Sequence, residues 1–194
     1  ELLRQKTDCP FVEVVAPAAQ AAAAATRTGR VGVIATAATI RSGKFPAALR
    51  ALEPGLAVFD LACPLFVPLV EDGHIAPDDP IALPAVEYYL GALQKQQIDT
   101  LILGCTHYPL LAPLIQAFLG AGVTLVNSGR EAARTAGRLL AEKGLLSPKK
   151  AGGSRRYFVT DAGGSFSAVA EVFLGEPVEE VIPVKIGDLE KLAL

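Results

Sequence analysis

The chain has 194 residues, of which 51% are hydrophobic and 20% are charged, enough for a sizeable core in one large domain or two small lobes. Its 18 basic and 20 acidic residues leave a net charge of −2, so no overall field favours nucleic acid or an anionic membrane, and no apolar run approaches a membrane span. Three widely spaced cysteines without a CxxC pair argue against a disulfide framework or a structural zinc site, and for a reducing compartment such as the cytoplasm.

The first part of the chain alternates short apolar or β-branched runs with longer helical patterns. The runs predict strands at residues 11–15, 31–34 and 57–59. The stretches between them predict helices at residues 17–25 and 39–52, the second irregular around Gly43 and Pro46. A short apolar piece at residues 66–72 is typical of either a helix or an extended segment.

The second part continues the alternation. A long helix opens at residues 78–80 and runs to about Gln97. Ser128 and Glu131 stand three apart, as in a capping box, before a helix that reaches Lys143. The remaining strands are predicted at residues 101–103, 123–126, 157–159 and 181–184, and the remaining helices at residues 109–119 and 166–174.

Regular alternation of strand and helix predicts an α/β fold of βαβ lobes, each with a parallel sheet and flanking helices. We expect one near-complete lobe at residues 17–126, which carries Cys105. Residues 1–16 would end an N-terminal lobe, and residues 127–194 would return to that lobe. Because the chain starts at Glu1, contains no methionine and opens like the end of a helix, we also expect a fragment lacking its N-terminal part.

The most informative stretch is residues 101–109, LILGCTHYP. A buried strand ends at Gly104, and the carboxyl ends of strands are where ligands bind in open α/β sheets. The backbone NH groups and the dipole at the start of a helix favour a negatively charged atom nearby, such as a thiolate at Cys105. His107 is close enough in sequence to contact the sulfur or a substrate, and Thr106 adds a hydroxyl and a backbone NH. An inert, buried cysteine is the alternative, which the neighbouring residues disfavour.

Thr36 and Thr39 occupy the equivalent place after the strand at residues 31–34. Their hydroxyls and the adjacent backbone NH groups suit a carboxylate or phosphate, although Thr36 could simply cap a helix. Glu71 ends an apolar run and either orients His107 or lies in solvent. Cys63 and Cys9 are interpreted as structural. No glycine-rich phosphate fingerprint follows a strand, so a nucleotide cofactor is not expected.

These residues resemble bacterial glutamate racemases of the aspartate/glutamate racemase superfamily. Residues 103–109 (LGCTHYP) are similar to that family's second catalytic-cysteine motif. Three further segments are similar in the right order, VGVIATAATIRSG at 31–43, CPLFVPLVE at 63–71 and TLVNSGRE at 124–131. The resemblance extends from Phe11 to about Leu174.

The resemblance implies a two-base racemisation of glutamate without cofactor or metal, supplying D-glutamate for peptidoglycan. One cysteine thiolate removes the α-proton from one face, and a second thiol protonates the other face. Catalytic roles then fall to Cys105, His107 and Glu71, with Glu71 paired to His107. Glutamate binding is implied for Thr36, Thr39, Thr106 and His107. A homodimer is compatible with the resemblance.

The family's first cysteine motif, Cys-Asn-Thr, and its Asp-Ser-Gly segment are absent from these 194 residues. We therefore expect the isolated chain not to racemise glutamate. Three alternatives stay open, namely a racemase for aspartate or another amino acid, a non-catalytic binding lobe, and a thiol hydrolase that uses Cys105 and His107.

Overall fold

The computed structural model describes residues 9–149, 153–160, 163–178 and 180–191. They divide into two compact units. The larger spans Phe11–Gly144, and the smaller contains Cys9, Pro10 and the described residues from Leu145 onwards. The α/β class with a parallel sheet and flanking helices is confirmed.

Four parallel strands form the sheet of the larger unit, in the order β2-β1-β3-β4. The strands are β1 (Arg30–Ala35), β2 (Ala57–Ala62), β3 (Thr100–Leu103) and β4 (Thr124–Asn127). The helices are α1 (Val15–Ala25), α2 (Ala37–Arg41), α3 (Lys44–Leu52), α4 (Phe66–Glu71), α5 (Ala82–Lys95), α6 (Ala112–Leu119) and α7 (Ser128–Glu142), with a 3₁₀ turn at Tyr108–Leu111 before α6.

Helices cover both faces of this sheet because side chains alternate along each strand. On one face, Val31 and Val33 of β1 pack with Ile102 of β3 against alanines of α1 and against Phe45 and Leu49 of α3. On the other face, a Cβ placed on Gly32 would lie 3.6 Å from Leu93 of α5. The core therefore lies on both sides of β1 and β3, which positions their carboxyl ends rigidly.

The strand predicted at residues 11–15 is wrong. Residues 11–13 have no regular structure, and α1 begins at Val15. The Glu13 carboxylate accepts hydrogen bonds from the backbone NH groups of Val15, at 2.5 Å, and Ala16, at 2.7 Å. This cap satisfies NH groups at the start of the alanine-rich helix, where Pro17 is also tolerated, so helix replaces strand.

The capping box at Ser128 and Glu131 is also wrong. Asn127 caps α7 instead, and its side-chain oxygen accepts a hydrogen bond from the Arg130 backbone NH at 3.0 Å. The buried Ser128 hydroxyl donates to the carbonyl of Leu103 at 2.8 Å, and Glu131 pairs with Arg134 at 2.8 Å. In a capping box the Ser128 hydroxyl would bond to the start of the helix, but here it bonds to β3.

The larger unit extends beyond residues 17–126, the range expected for the lobe that carries Cys105. Helix α7 packs against α1, and the Ser128 contact ties its start to β3. Residues 127–144 therefore lie in the same compact unit as this sheet. Residues 11–16 join the same unit because α1 starts at Val15.

In the smaller unit, β5 (Tyr157–Val159) pairs in parallel with β6 (Val181–Pro183). Between them lies α8 (Gly163–Leu174), which packs against β6, and α9 (Ile186–Lys191) follows. A parallel pair needs such a crossover connection. Among the described residues of both units, no helix is long and apolar enough to cross a membrane.

Candidate active site

The turn after β3 carries Cys105, Thr106 and His107. Gly104 opens it, and its backbone NH donates to the carbonyl of Ile34 on β1 at 2.8 Å. A Cβ at Gly104 would lie 2.9 Å from Phe45 and 3.0 Å from that same carbonyl. Only glycine fits here without a shift of the backbone, so the cysteine follows a tightly packed strand end.

His107 contacts three other side chains of predicted function. Its Nδ1 lies 3.9 Å from the Sγ of Cys105 and 3.2 Å from the Oγ1 of Thr106. Its Nε2 lies 3.1 Å from Oε1 of Glu71, the last residue of α4. The contact predicted between Glu71 and His107 is therefore present, although the two residues are 36 positions apart.

This geometry sets the tautomer of a neutral His107. A carboxylate can only accept a hydrogen bond, so Nε2 carries the ring proton and donates a hydrogen bond to Glu71. Nδ1 is then an acceptor that faces the thiol of Cys105 and the hydroxyl of Thr106. A proton can pass from the sulfur of Cys105 to Nδ1 of His107, and the Glu71 carboxylate can stabilise the resulting imidazolium. Cys105, His107 and Glu71 thus have the arrangement of a nucleophile, its base and a carboxylate that orients the base.

Thr36 and Thr39 form a separate hydrogen-bonded pair at the end of β1. Their Oγ1 atoms are 3.1 Å apart, and the Thr39 backbone NH donates to the Thr36 hydroxyl at 3.4 Å. Ile34 pairs with Leu103 in the parallel register. Thr36 lies two residues after Ile34, and Cys105 lies two residues after Leu103. The threonines and the cysteine thus lie at the same edge of the sheet.

A cavity of about 360 Å³ adjoins this edge. Thr39 and Gly104 line it together with Ser42, Lys44 and Phe45. Ser42 and Lys44 were not predicted as site residues. Their place directly after the Thr36–Thr39 segment is the signal that could have found them.

Cys63 differs from Cys105 in its surroundings. It is buried at the end of β2, and burial raises the pKa of its thiol to about 12. A thiol with that pKa stays protonated near neutral pH and is a poor nucleophile. Cys9, Cys63 and Cys105 are not joined in disulfide bonds.

His74 and Asp79 form a further polar contact in the larger unit. His74 pairs with Asp79 at 3.0 Å, and Asp79 accepts from the backbone NH of Ala82 at the start of α5. Hydrogen bonding by Ala82 and His74 holds the pKa of Asp79 below its usual value. Within the described residues, no group of three or more His, Cys, Asp or Glu side chains could hold a metal ion.

Comparison with known proteins places these observations in context. A family model described as Asp/Glu/Hydantoin racemase matches residues 1–136. A glutamate racemase of Geobacter metallireducens is 42% identical over 186 residues, which cover 96% of this chain and 68% of that protein.

Solved structures agree with the sequence comparison. The crystal structure of a glutamate racemase isoform from Bacillus anthracis matches 95% of this chain and 68% of that chain, with a TM-score of 0.88 and 37% identity. The Francisella tularensis glutamate racemase in complex with D-glutamate matches 96% of this chain and 68% of that chain, with a TM-score of 0.85 and 28% identity. The chain thus spans about two thirds of the length of these relatives.

Proposed function

This chain belongs to the Asp/Glu/Hydantoin racemase family, and on that premise we propose that it functions in glutamate racemisation, with Cys105 transferring the proton on one face of the α-carbon. The relatives described above are named glutamate racemases, which are isomerases, and not racemases of aspartate. The observation that carries the proposal is the chain of contacts from Cys105 through His107 to Glu71, at 3.9 and 3.1 Å.

In the proposed reaction, Nδ1 of His107 takes the thiol proton of Cys105, and the thiolate then removes the α-proton of L-glutamate. The electron pair left at the α-carbon delocalises into the adjacent carboxylate, which needs hydrogen-bond donors on that group. A thiol on the opposite face returns a proton and completes the inversion. Cys63 is not assigned that second role, because burial raises its pKa to about 12.

The proposed substrate contacts come from hydroxyls and backbone NH groups at the same sheet edge. Thr36 and Thr39 bind a carboxylate of glutamate, and Thr106 binds beside Cys105. Support comes from the paired hydroxyls of Thr36 and Thr39 and from the parallel register that aligns them with Cys105. The D-glutamate complex of the Francisella tularensis racemase supports an anionic amino acid as the ligand class.

The decisive experiment is proton exchange in heavy water. The protein in its natural full length is incubated with L-glutamate in D₂O, and NMR follows loss of the α-proton while a chiral assay follows D-glutamate. We expect deuterium in the product and no racemisation by Cys105→Ser. Full activity of that variant would exclude Cys105 as the proton-transferring group. Cleavage of an ester or amide by the intact site would instead favour the thiol hydrolase.

We also propose that the enzyme acts in the cytoplasm, where it supplies D-glutamate for peptidoglycan, and that two copies form a dimer. The lack of a disulfide bond among the three cysteines supports a reducing compartment. Cell fractionation tests the location, and light scattering of the purified protein tests the dimer. Activity found only in an extracellular fraction, or a monomeric mass at working concentration, would contradict the respective statement.

A further inference from the structure

The contact between His107 and Glu71 joins two segments that leave different strands. His107 lies in the turn after β3, whereas Glu71 ends α4, which follows β2. The Glu71 side chain is 47% exposed, against 18% for His107. An ion pair with that exposure contributes little to holding two segments together. Another contact must therefore keep α4 beside the turn.

Tyr108, the residue after His107, makes such a contact. Its side chain is fully buried, and its hydroxyl donates to the carbonyl of Cys63 at 2.8 Å. Desolvation by burial, with smaller effects of Cys63 and Cys105, raises the pKa of Tyr108, so the hydroxyl remains a donor at ordinary pH. A fully buried hydrogen bond fixes geometry better than the exposed ion pair does.

The same tyrosine also packs against the start of α4. The rings of Tyr108 and Phe66 are arranged edge to face, with centroids 5.2 Å apart and planes at 80°. The backbone NH of Phe66 donates to the same Cys63 carbonyl at 3.2 Å. Tyr108 thus contacts both Cys63, which lies just before α4, and Phe66, the first residue of α4. Glu71 is the last residue of the same helix.

We infer that Tyr108 is a positioning residue, which keeps Glu71 within hydrogen-bond reach of His107 and so keeps Nδ1 of His107 facing Cys105. This inference rests on the proposed function of Cys105 and His107. Tyr108 acts through the Glu71 contact, because its hydroxyl bonds to the Cys63 carbonyl. Its loss therefore lowers the rate of proton transfer and leaves substrate binding unchanged.

The first test is Tyr108→Phe in the full-length protein, which removes only the hydroxyl. Loss of one buried hydrogen bond lowers kcat by about fivefold in both reaction directions. KM for L-glutamate and D-glutamate stays within about twofold, since the contacts proposed for Thr36, Thr39 and Thr106 remain. An unchanged kcat, or a fall carried by KM alone, would overturn the inference.

A double-mutant cycle with Glu71→Gln separates positioning from general damage. If Tyr108 acts through Glu71, then Tyr108→Phe in the Glu71→Gln background changes kcat by less than about twofold. An undiminished fivefold effect in that background would mean that Tyr108 supports the fold or another residue, and the inference would be wrong. Phe66→Leu, which alters the ring contact and leaves the hydroxyl, should show the same dependence on Glu71.

Tyr89→Phe is the matched control. Tyr89, on α5, also packs edge to face on Phe66, with centroids 5.3 Å apart, so its variant loses a hydroxyl beside the same ring. We expect its kcat to equal that of the unmodified protein, and an equal loss in both tyrosine variants would refute a specific role for Tyr108. Full activity of Cys105→Ser would refute the proposed function itself, whereas an inactive Cys105→Ser with a fully active Tyr108→Phe would refute only this inference.

Discussion

Replacement of Asp99 by asparagine should destabilise the larger unit without changing any residue of the proposed active site. Asp99 is 7% exposed at the residue before β3. Its carboxylate accepts from the Thr26 hydroxyl at 2.6 Å and from the backbone NH groups of Arg27 and Thr28, each at 2.7 Å. These bonds fix the loop between α1 and β1 to the sheet. An asparagine amide presents NH groups to some of these donors and cannot satisfy them all.

The size of the effect follows from the bonds that are lost. Two charge-assisted hydrogen bonds at about 1.5 kcal/mol each give a loss of about 3 kcal/mol in the free energy of unfolding. At 2–4 °C per kcal/mol this lowers Tm by roughly 6–12 °C. Urea unfolding and calorimetry of Asp99→Asn at pH 7 measure both quantities. Asp60→Asn, which changes an exposed carboxylate on β2, should stay within about 0.5 kcal/mol.

The pH dependence gives an independent check. Burial alone raises the pKa of Asp99, but the hydrogen bonds from Thr26, Arg27 and Thr28 outweigh it and hold the pKa well below its usual range. The carboxylate therefore stabilises the fold above the unfolded pKa of about 3.9, and this stability is lost as the pH falls from there through the folded pKa. The difference in the free energy of unfolding between the parent protein and Asp99→Asn should become smaller below about pH 4. A constant difference from pH 7 to pH 3, or no loss at pH 7, would refute the reasoning.

Two further predictions concern the site. Glu71→Gln should lower kcat about tenfold, because the negative charge that stabilises protonated His107 is lost from a partly exposed pair. Asp72→Asn, which changes the neighbouring exposed carboxylate, should leave kcat unchanged. Equal kcat values for the two variants in steady-state kinetics would contradict this prediction. Gly104→Ala should cost about 1–3 kcal/mol in the free energy of unfolding and displace the cysteine turn, because its Cβ would meet Phe45 at 2.9 Å. Gly91→Ala on α5, where nothing lies within 4 Å of the added Cβ, should be neutral or slightly stabilising, and equal losses in the two glycine variants would count against the packing argument.

Most strands were predictable because apolar runs bounded by turn residues are buried in a parallel sheet. The runs at 31–34 and 101–103 lie in strands β1 and β3, whose interior positions are fully or almost fully buried. The helix predicted at 39–52 is two helices, α2 and α3, separated at Ser42 and Gly43. That break falls at one of the two places where the pattern was irregular, because glycine ends a helix readily.

Two other errors have a common cause, since each involves a side chain that binds a backbone group the pattern did not indicate. Residues 11–15 have strand-like composition, but the Glu13 carboxylate caps the helix that starts at Val15. Ser128 and Glu131 have the spacing of a capping box, but the Ser128 hydroxyl donates to β3. Propensity gives way wherever a side chain satisfies a backbone group that would otherwise lack a partner.

By itself, the sequence determined that an apolar strand ends at Gly104 and that Cys105, Thr106 and His107 follow it at the carboxyl edge of a parallel sheet. Hydrophobic burial and local turn chemistry are encoded by neighbouring residues, so these features can be read in order along the chain. Only the tertiary structure decided that Glu71, 36 residues away, lies 3.1 Å from His107 and that the Tyr108 hydroxyl reaches Cys63. Those distances depend on strand register and on the packing of α4 against the turn, which no local pattern specifies.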